Sequence, residues 1–172
     1  LDSGFDVSWA VSMMNALLLL RSSQDTFATL DMMMLDPRDC ACQIMKISAE
    51  ATYIKMRKGV EVISCSAPPM GIVRDMHLDK VERVLSEGDM VVMASDGVFE
   101  GARLAGLSDD WLKLFLERCK ASSAKELGEK VLNKALDSLR GSGQVEVPDD
   151  ITVVAGRVVK VEQVPASGRM AG

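Results

Sequence analysis

Residues 90–97, MVVMASDG, contain five apolar side chains, then a serine, then an Asp-Gly pair. An apolar run that follows the turn residues SEGD at 86–89 is typical of a strand that is buried on both faces. The glycine at position 97 permits a sharp reversal, which would leave the Asp96 carboxylate at the rim of a sheet. The sequence therefore predicts a central strand over residues 90–94 with a candidate functional carboxylate at its end.

A second acidic motif, the pair Asp149 and Asp150, precedes a β-branched segment that we expect to form a strand over residues 151–161. If the two strands are antiparallel neighbours, the end of one lies beside the start of the other. Carboxylates gathered there repel each other unless a cation lies between them, and Mg²⁺ and Mn²⁺ prefer oxygen ligands. Taken alone, the Asp-Gly pair and the Asp-Asp pair are each also ordinary turn chemistry, so the hypothesis of a site depends on both motifs together.

The segments upstream of the central strand alternate with a period of two. Residues 26–35 and 40–47 flank the turn DPRD at 36–39, which predicts an antiparallel hairpin. A second hairpin is expected over 53–56 and 60–64, and a further strand over 80–85. The first helix is expected to begin after Asp6 as N-cap. Its apolar positions are Val7, Ala10, Val11, Met14, Leu17 and Leu18, and we expect Trp9 to join the core.

Two helices follow the central strand in the sequence. Ser108 is the expected cap of a helix that continues to Cys119 and buries Trp111, and Ser123 opens a capping box for a helix that ends at Gly141. The resulting order is a helix, antiparallel strands, two helices and a strand. It predicts an α+β fold with an antiparallel β-sandwich flanked by helices, as one domain over residues 1–162 with a loose tail over 163–172.

The composition agrees with one globular domain. The chain has 172 residues, 48% of them hydrophobic, and a formal net charge of −5. Because its basic residues are scattered, nucleic acid is not an expected partner. The longest apolar run, residues 10–20, is too short to cross a bilayer. The four cysteines lack the spacing of a zinc site, which favours reduced thiols.

The Asp-Gly motif at 96–97 and the Asp-Asp motif at 149–150, in this order and separated by two predicted helices, resemble motifs of the metal-dependent protein phosphatases, the PPM or protein phosphatase type 2C family. The likeness is greatest to its sporulation branch, SpoIIE (stage II sporulation protein E), and less to its stress-response relatives. The segments FATLD at 27–31, APPMGI at 67–72 and EGD at 87–89 also resemble that branch, in the same order. The likeness covers roughly residues 1–162.

The resemblance implies a fold of two antiparallel sheets between helices and a two-metal site for Mn²⁺ or Mg²⁺. Asp96 and Asp149 match metal ligands of the family, whereas Gly97 adjoins a ligand and Asp150 occupies a more variable position. The implied reaction is hydrolysis of phosphoserine or phosphothreonine by a metal-activated water, without a phosphoenzyme. Such a cation would orient the water and neutralise the phosphoryl oxygens.

The family carries two more acidic motifs near its N-terminus, and neither is present in this sequence. We therefore expect an N-terminally truncated domain with an incomplete metal site, which is inactive or very weakly active and prone to self-association, including a homodimer. The implied partner is a phosphorylated anti-sigma factor antagonist, whose dephosphorylation activates a sporulation sigma factor. The parent protein is expected to be membrane-anchored outside this segment, with this domain on the cytoplasmic side.

A second interpretation remains open at this point. The chain could be a phosphatase-like module that dimerises or binds a partner without catalysis. A stress-pathway phosphatase with a different partner is a variant of the first interpretation.

Overall fold

The computed structural model describes residues 7–21, 26–76, 78–141 and 150–159. Asp6, Asp149 and the tail at 163–172 lie outside these ranges. The helices within them are α1 (Val7–Arg21), α2 (Gly97–Leu104), α3 (Trp111–Arg118) and α4 (Ala124–Gly141). The strands are β1 (Leu30–Leu35), β2 (Ala41–Ile47), β3 (Thr52–Met56), β4 (Gly59–Ile63), β5 (Asp79–Val84), β6 (Met90–Ala94) and β7 (Val153–Arg157).

The strands form two antiparallel sheets. One has the order β1-β2-β5 and the other β4-β3-β6-β7. Because side chains alternate along a strand, one face of each sheet supplies a shared core, in which Cys42 and Ile44 of the first sheet belong to the same cluster as Ile54 and Val91 of the second. The expected antiparallel sandwich is confirmed.

Helices cover the outer face of each sheet. Against the second sheet, α2, α3 and α4 bury Phe99, Leu112 and Leu127 in one cluster with Val92 of β6. Against the first sheet, α1 contributes Val11 to a smaller cluster that contains Ile47 of β2. The fold is therefore helix, sheet, sheet, helix, as the sequence predicts.

Most of the predicted elements are confirmed. Strand β6 lies between β3 and β7 and is buried over its first three residues, and both predicted hairpins form. Ser123 caps α4, since its Oγ accepts a hydrogen bond of 3.1 Å from the backbone N–H of Glu126. Ser108 does not cap α3 with its hydroxyl, which donates instead to Asp110. Strand β7 is shorter than the predicted 151–161.

The prediction of a sharp reversal at Gly97 is wrong. The chain continues from β6 directly into α2, a helix that the sequence analysis did not anticipate. Gly97 is the first residue of that helix, is buried, and does not have the positive φ that a glycine turn uses. Taken locally, the Asp-Gly pair at 96–97 favours a turn over a helix.

The buried face of α1 also differs from the predicted one. Asn15, which is not among the predicted apolar positions, is 3% exposed, because its amide donates to the backbone carbonyls of Val73 and Arg74 and accepts from Gly71 N. Trp9, expected in the core, is 57% exposed, whereas Trp111 is buried as predicted. None of the helices in the described ranges has the length and apolar character needed to span a bilayer.

Candidate functional site

The pairing of β6 with β7 brings the ends of the two acidic segments together. Ala94 lies opposite Val153 in the register, and Ser95 continues the pairing through a 3.0 Å hydrogen bond from its N–H to the carbonyl of Thr152. The Ser95 hydroxyl donates to the carbonyl of Asp150 and accepts from Thr152 N, both at 2.9 Å. The two strands are therefore antiparallel neighbours, which is the condition on which the hypothesis of a site depends.

Asp96 lies at the point where β6 passes into α2. Its Oδ1 accepts a 3.0 Å hydrogen bond from the backbone N–H of Gly97, so the carboxylate caps the helix. The residue is exposed, which leaves the remaining lone pairs of the carboxylate available. The positive end of the helix dipole favours a negative charge at this position.

A cavity of 620 Å³ opens beside Asp96. Its wall combines residues from both sheets, with Asp31 of β1 on one side and the end of β6 on the other, while the loop at Glu50 completes it. The carboxylate side chains in its lining are those of Asp31, Glu50 and Asp96. The site is therefore an acidic cleft between the two sheets at one end of the sandwich.

Two of these three carboxylates have a basic partner. Lys46 Nζ lies 2.6 Å from Asp31 Oδ1, and an Arg103 amino group lies 2.9 Å from Glu50 Oε1. Among the residues the structure describes, no basic side chain lies within 4.0 Å of Asp96. Asp96 is consequently the carboxylate of this cleft whose charge is not neutralised by a described neighbour.

The donor chemistry of the cleft fits a hard divalent cation in part. Carboxylate oxygens are the ligands that Mg²⁺ and Mn²⁺ use, and Asp96 presents one with free lone pairs. Within the described ranges, no three side chains of His, Cys, Asp or Glu are grouped closely enough to hold a metal ion. Asp149, the other predicted ligand, lies outside those ranges, so the described residues supply one ligand position and not a complete set.

The cysteines do not add a site of their own. All four are free thiols, as expected. Cys42 is buried between the sheets, and burial raises the pKa of its thiol, which favours the inert protonated form. Cys65 lines the cleft, where its Sγ lies 3.7 Å from the carbonyl of Ala49.

The sequence analysis did not assign a role to Asp31 or Lys46. Both lie in the predicted first hairpin, and antiparallel pairing across the turn at 36–39 sets Asp31 opposite Lys46. A charged pair at facing positions of a hairpin is a signal that the sequence contains. What the sequence could not give is the burial of the lysine, since this depends on the second sheet packing over it.

The architecture and the cleft define a class of protein, that of the PP2C phosphatase domains. A solved structure of the PP2C phosphatase domain with a fragment of the regulatory domain of the cell fate determinant SpoIIE from Bacillus subtilis superposes with a TM-score of 0.78 at 28% identity, covering 91% of this chain and 45% of that one. The phosphatase domain of the same determinant, presoaked with Mn, gives a TM-score of 0.69 at 29% identity, covering 94% of this chain and 71% of the other.

The sequence profile of the family described as Stage II sporulation protein E (SpoIIE) matches residues 1–159. This chain therefore belongs to the SpoIIE family. A curated relative, Stage II sporulation protein E of Bacillus subtilis (strain 168), is 31% identical over 158 residues, which are 92% of this chain and 19% of the relative. The chain thus spans about a fifth of the length of that relative.

Proposed function

We propose that this chain is the catalytic part of a protein phosphatase that hydrolyses phosphoserine or phosphothreonine in a protein substrate with the help of a divalent cation. The observation that carries the proposal is the β6–β7 register, which sets Asp96 beside the segment at Asp150. Asp96 faces a cleft in which the neighbouring carboxylates are ion-paired, and it remains available as a ligand. Membership of the SpoIIE family supports the same activity.

Mn²⁺ or Mg²⁺, when bound, would supply Lewis-acid activation of a water and neutralise charge on the phosphoryl group. Asp96 would hold the cation through the carboxylate lone pairs that the helix cap leaves free. By resemblance to the family, Asp149 is a second ligand, and Gly97 and Asp150 adjoin the two ligand positions. In the proposed reaction the oxygen of the water would bond to phosphorus, the bond from phosphorus to the serine oxygen would break, and the proton lost by the water would pass to the released serine oxygen.

The proposed two-metal site needs more ligands than Asp96 and Asp149. The chain covers 71% of the solved SpoIIE phosphatase domain, and we assign the remaining ligands to the part of the family domain that it does not cover. On its own, the chain is expected to release phosphate weakly or not at all. The full-length product of its gene is the appropriate enzyme for the assays.

The proposed substrate is a phosphorylated anti-sigma factor antagonist, whose dephosphorylation would activate a sporulation sigma factor. The family relationship supports this choice, because the matching relatives are a sporulation protein and a cell fate determinant. The same relationship supports a parent protein that is anchored in a membrane outside this segment, with the phosphatase domain on the cytoplasmic side. A homodimer is the proposed oligomeric state.

The test measures phosphate release from a phosphoserine-bearing protein by the full-length gene product with Mn²⁺ present. Asp96→Asn and Asp149→Asn each remove one proposed ligand charge while keeping the size of the side chain. We expect each to lower kcat/KM about a hundredfold or more, because several kcal/mol of transition-state stabilisation depend on the cation.

Asp137→Asn is the matched control. This substitution makes the same chemical change on the exposed surface of α4, where the side chain of Asp137 is 67% exposed. Activity in this variant should equal that of the wild type. A wild-type protein that folds but releases no phosphate from any phosphoprotein offered, or an Asp96→Asn variant with full activity, would refute the proposal.

A further inference from the structure

A buried lysine lies behind Asp31, one of the carboxylates that line the cleft between the two sheets. The Lys46 side chain is 1% exposed, and its ammonium donates to Asp31 Oδ1 at 2.6 Å and to Thr52 Oγ1 at 2.8 Å. The Thr52 hydroxyl in turn lies 3.2 Å from both carboxylate oxygens of Asp31. Lys46 and Asp31 belong to the first sheet and Thr52 to the second, so this triad links the sheets at the edge of the cleft.

Lys46 and Thr52 hydrogen-bond to the Asp31 carboxylate from its buried side. Oδ1 accepts from the ammonium and Oδ2 accepts from the threonine hydroxyl, although Asp31 also lines the cleft. A cation that recruited Asp31 would compete with the Lys46 ammonium for the same carboxylate. If the ammonium lost this carboxylate, it would be left buried with only Thr52 as partner, and an uncompensated buried charge is strongly unfavourable.

We propose that Lys46 is a positioning residue that keeps Asp31 from coordinating the divalent cation, so that the cleft presents Asp96 as its unpaired carboxylate. The inference rests on the proposed function, because it assumes that a cation binds in this cleft. In this proposal the charge of the cleft is set by Lys46, which touches neither the cation nor the substrate. Arg103 pairs with Glu50 at the same cleft, but this arginine is 55% exposed and solvent screens its charge more strongly.

The sign of the effect on Mn²⁺ affinity distinguishes this role from a purely structural one. Lys46→Met leaves the Asp31 carboxylate unpaired in the cleft, so Mn²⁺ should bind about three- to tenfold more tightly. Asp31→Asn leaves the ammonium unpaired, so Mn²⁺ should bind about three- to tenfold more weakly. The double variant has neither charge and should bind within about twofold of the wild type.

The measurement is a titration of the full-length gene product with Mn²⁺, in which electron paramagnetic resonance follows the free ion. Circular dichroism establishes that each variant is folded. If Lys46→Met does not fold, Lys46→Gln replaces it, because its amide can still hydrogen-bond to Thr52 while the charge is lost. Arg38→Met is the matched control, since it removes an exposed cation that pairs with Asp36 in the β1–β2 turn, and it should leave the affinity unchanged.

Tighter binding by Lys46→Met together with weaker binding by Asp31→Asn would support the inference. Weaker binding in both single variants, or unchanged binding in both, would overturn it while leaving the proposed phosphatase intact. A wild-type protein that binds no Mn²⁺ would overturn the proposed function and this inference with it.

Discussion

Helix α2, which begins directly after Asp96, packs so closely on α4 that a Cβ at residue 101 would clash with a side chain of α4. A Cβ built at Gly101 would lie 2.3 Å from Leu139 Cγ and 2.7 Å from its Cδ2, well inside van der Waals contact. Leu139 is 5% exposed and has little room to move. Gly101→Ala should therefore overpack the contact between the two helices.

The expected free energies follow from this contact. Overpacking costs about 1–3 kcal/mol, and the higher helix propensity of alanine offsets about 1 kcal/mol of this, so Gly101→Ala should lose up to about 2 kcal/mol of unfolding free energy. Leu139→Ala, which opens a cavity in the same place, should lose about 3 kcal/mol. The double variant should lose only about 2 kcal/mol, since the new methyl group occupies part of the cavity and no longer clashes.

Urea unfolding followed by tryptophan fluorescence measures all three variants, because Trp111 is buried beside Phe99 of α2. Gly128→Ala in α4 is the control, since a Cβ there meets Ala155 at an ordinary 3.5 Å and should stabilise the protein by up to about 1 kcal/mol. If Gly101→Ala also stabilised the protein, or if the losses of the two single variants simply added, the proposed clash would be refuted.

Three further predictions concern ionisation and backbone strain. Tyr53 is the only tyrosine, and burial, with smaller contributions from Glu50 and Asp110, raises its pKa to about 12, so absorbance at 295 nm should show a midpoint near pH 12 and not near the usual 10. The hydrogen bond from Lys130 lowers the pKa of Glu126 to about 2 from 4.5. The stabilisation of the fold by the ionised Glu126 should therefore be present above pH 4.5 and disappear as the pH falls to about 2. Glu126→Gln should reduce this acid dependence of the free energy of unfolding. Gly71→Ala should lower the melting temperature measured by circular dichroism, because φ is +89° and a Cβ would lie 2.7 Å from the carbonyl of Thr26.

The sandwich was predictable because its strands carry strong local signals. The apolar run at β6 and the alternation on both sides of the turn at 36–39 specify buried and half-buried strands without reference to any other part of the chain. The order of these elements then leaves few ways to bury their apolar faces. The proximity of Asp96 and Asp150 follows once β6 and β7 pair in antiparallel fashion, which the sequence offered only as a condition.

The errors arose where tertiary contacts override local pattern. Helix α1 is apolar around most of its circumference, so its spacing could not identify the buried face, and hydrogen bonds from the loop at 71–74 bury Asn15. Helix α2 was missed because the Asp-Gly pair at 96–97 resembles a turn, and the close approach of Gly101 to Leu139 is a tertiary contact. Neither contact partner is visible in the local sequence.

The candidate site likewise contains one residue that the sequence could point to and one that it could not. Asp96 was identified from its motif, whereas the importance of Lys46 depends on three strands meeting. A lysine at the end of a strand is ordinarily read as solvent-exposed. Only the packing of β3 over β2 turns it into a buried partner of Asp31.

The proposed metal dependence is tested most sharply by removing and returning the cation in one assay of the full-length gene product. Phosphate release from a phosphoserine-bearing protein is followed after chelation and again after addition of Mn²⁺. Chelation should abolish phosphate release, and Mn²⁺ should restore it in the wild type but not in Asp96→Asn. Phosphate release that continues without any divalent cation, or full restoration in Asp96→Asn, would contradict the proposal.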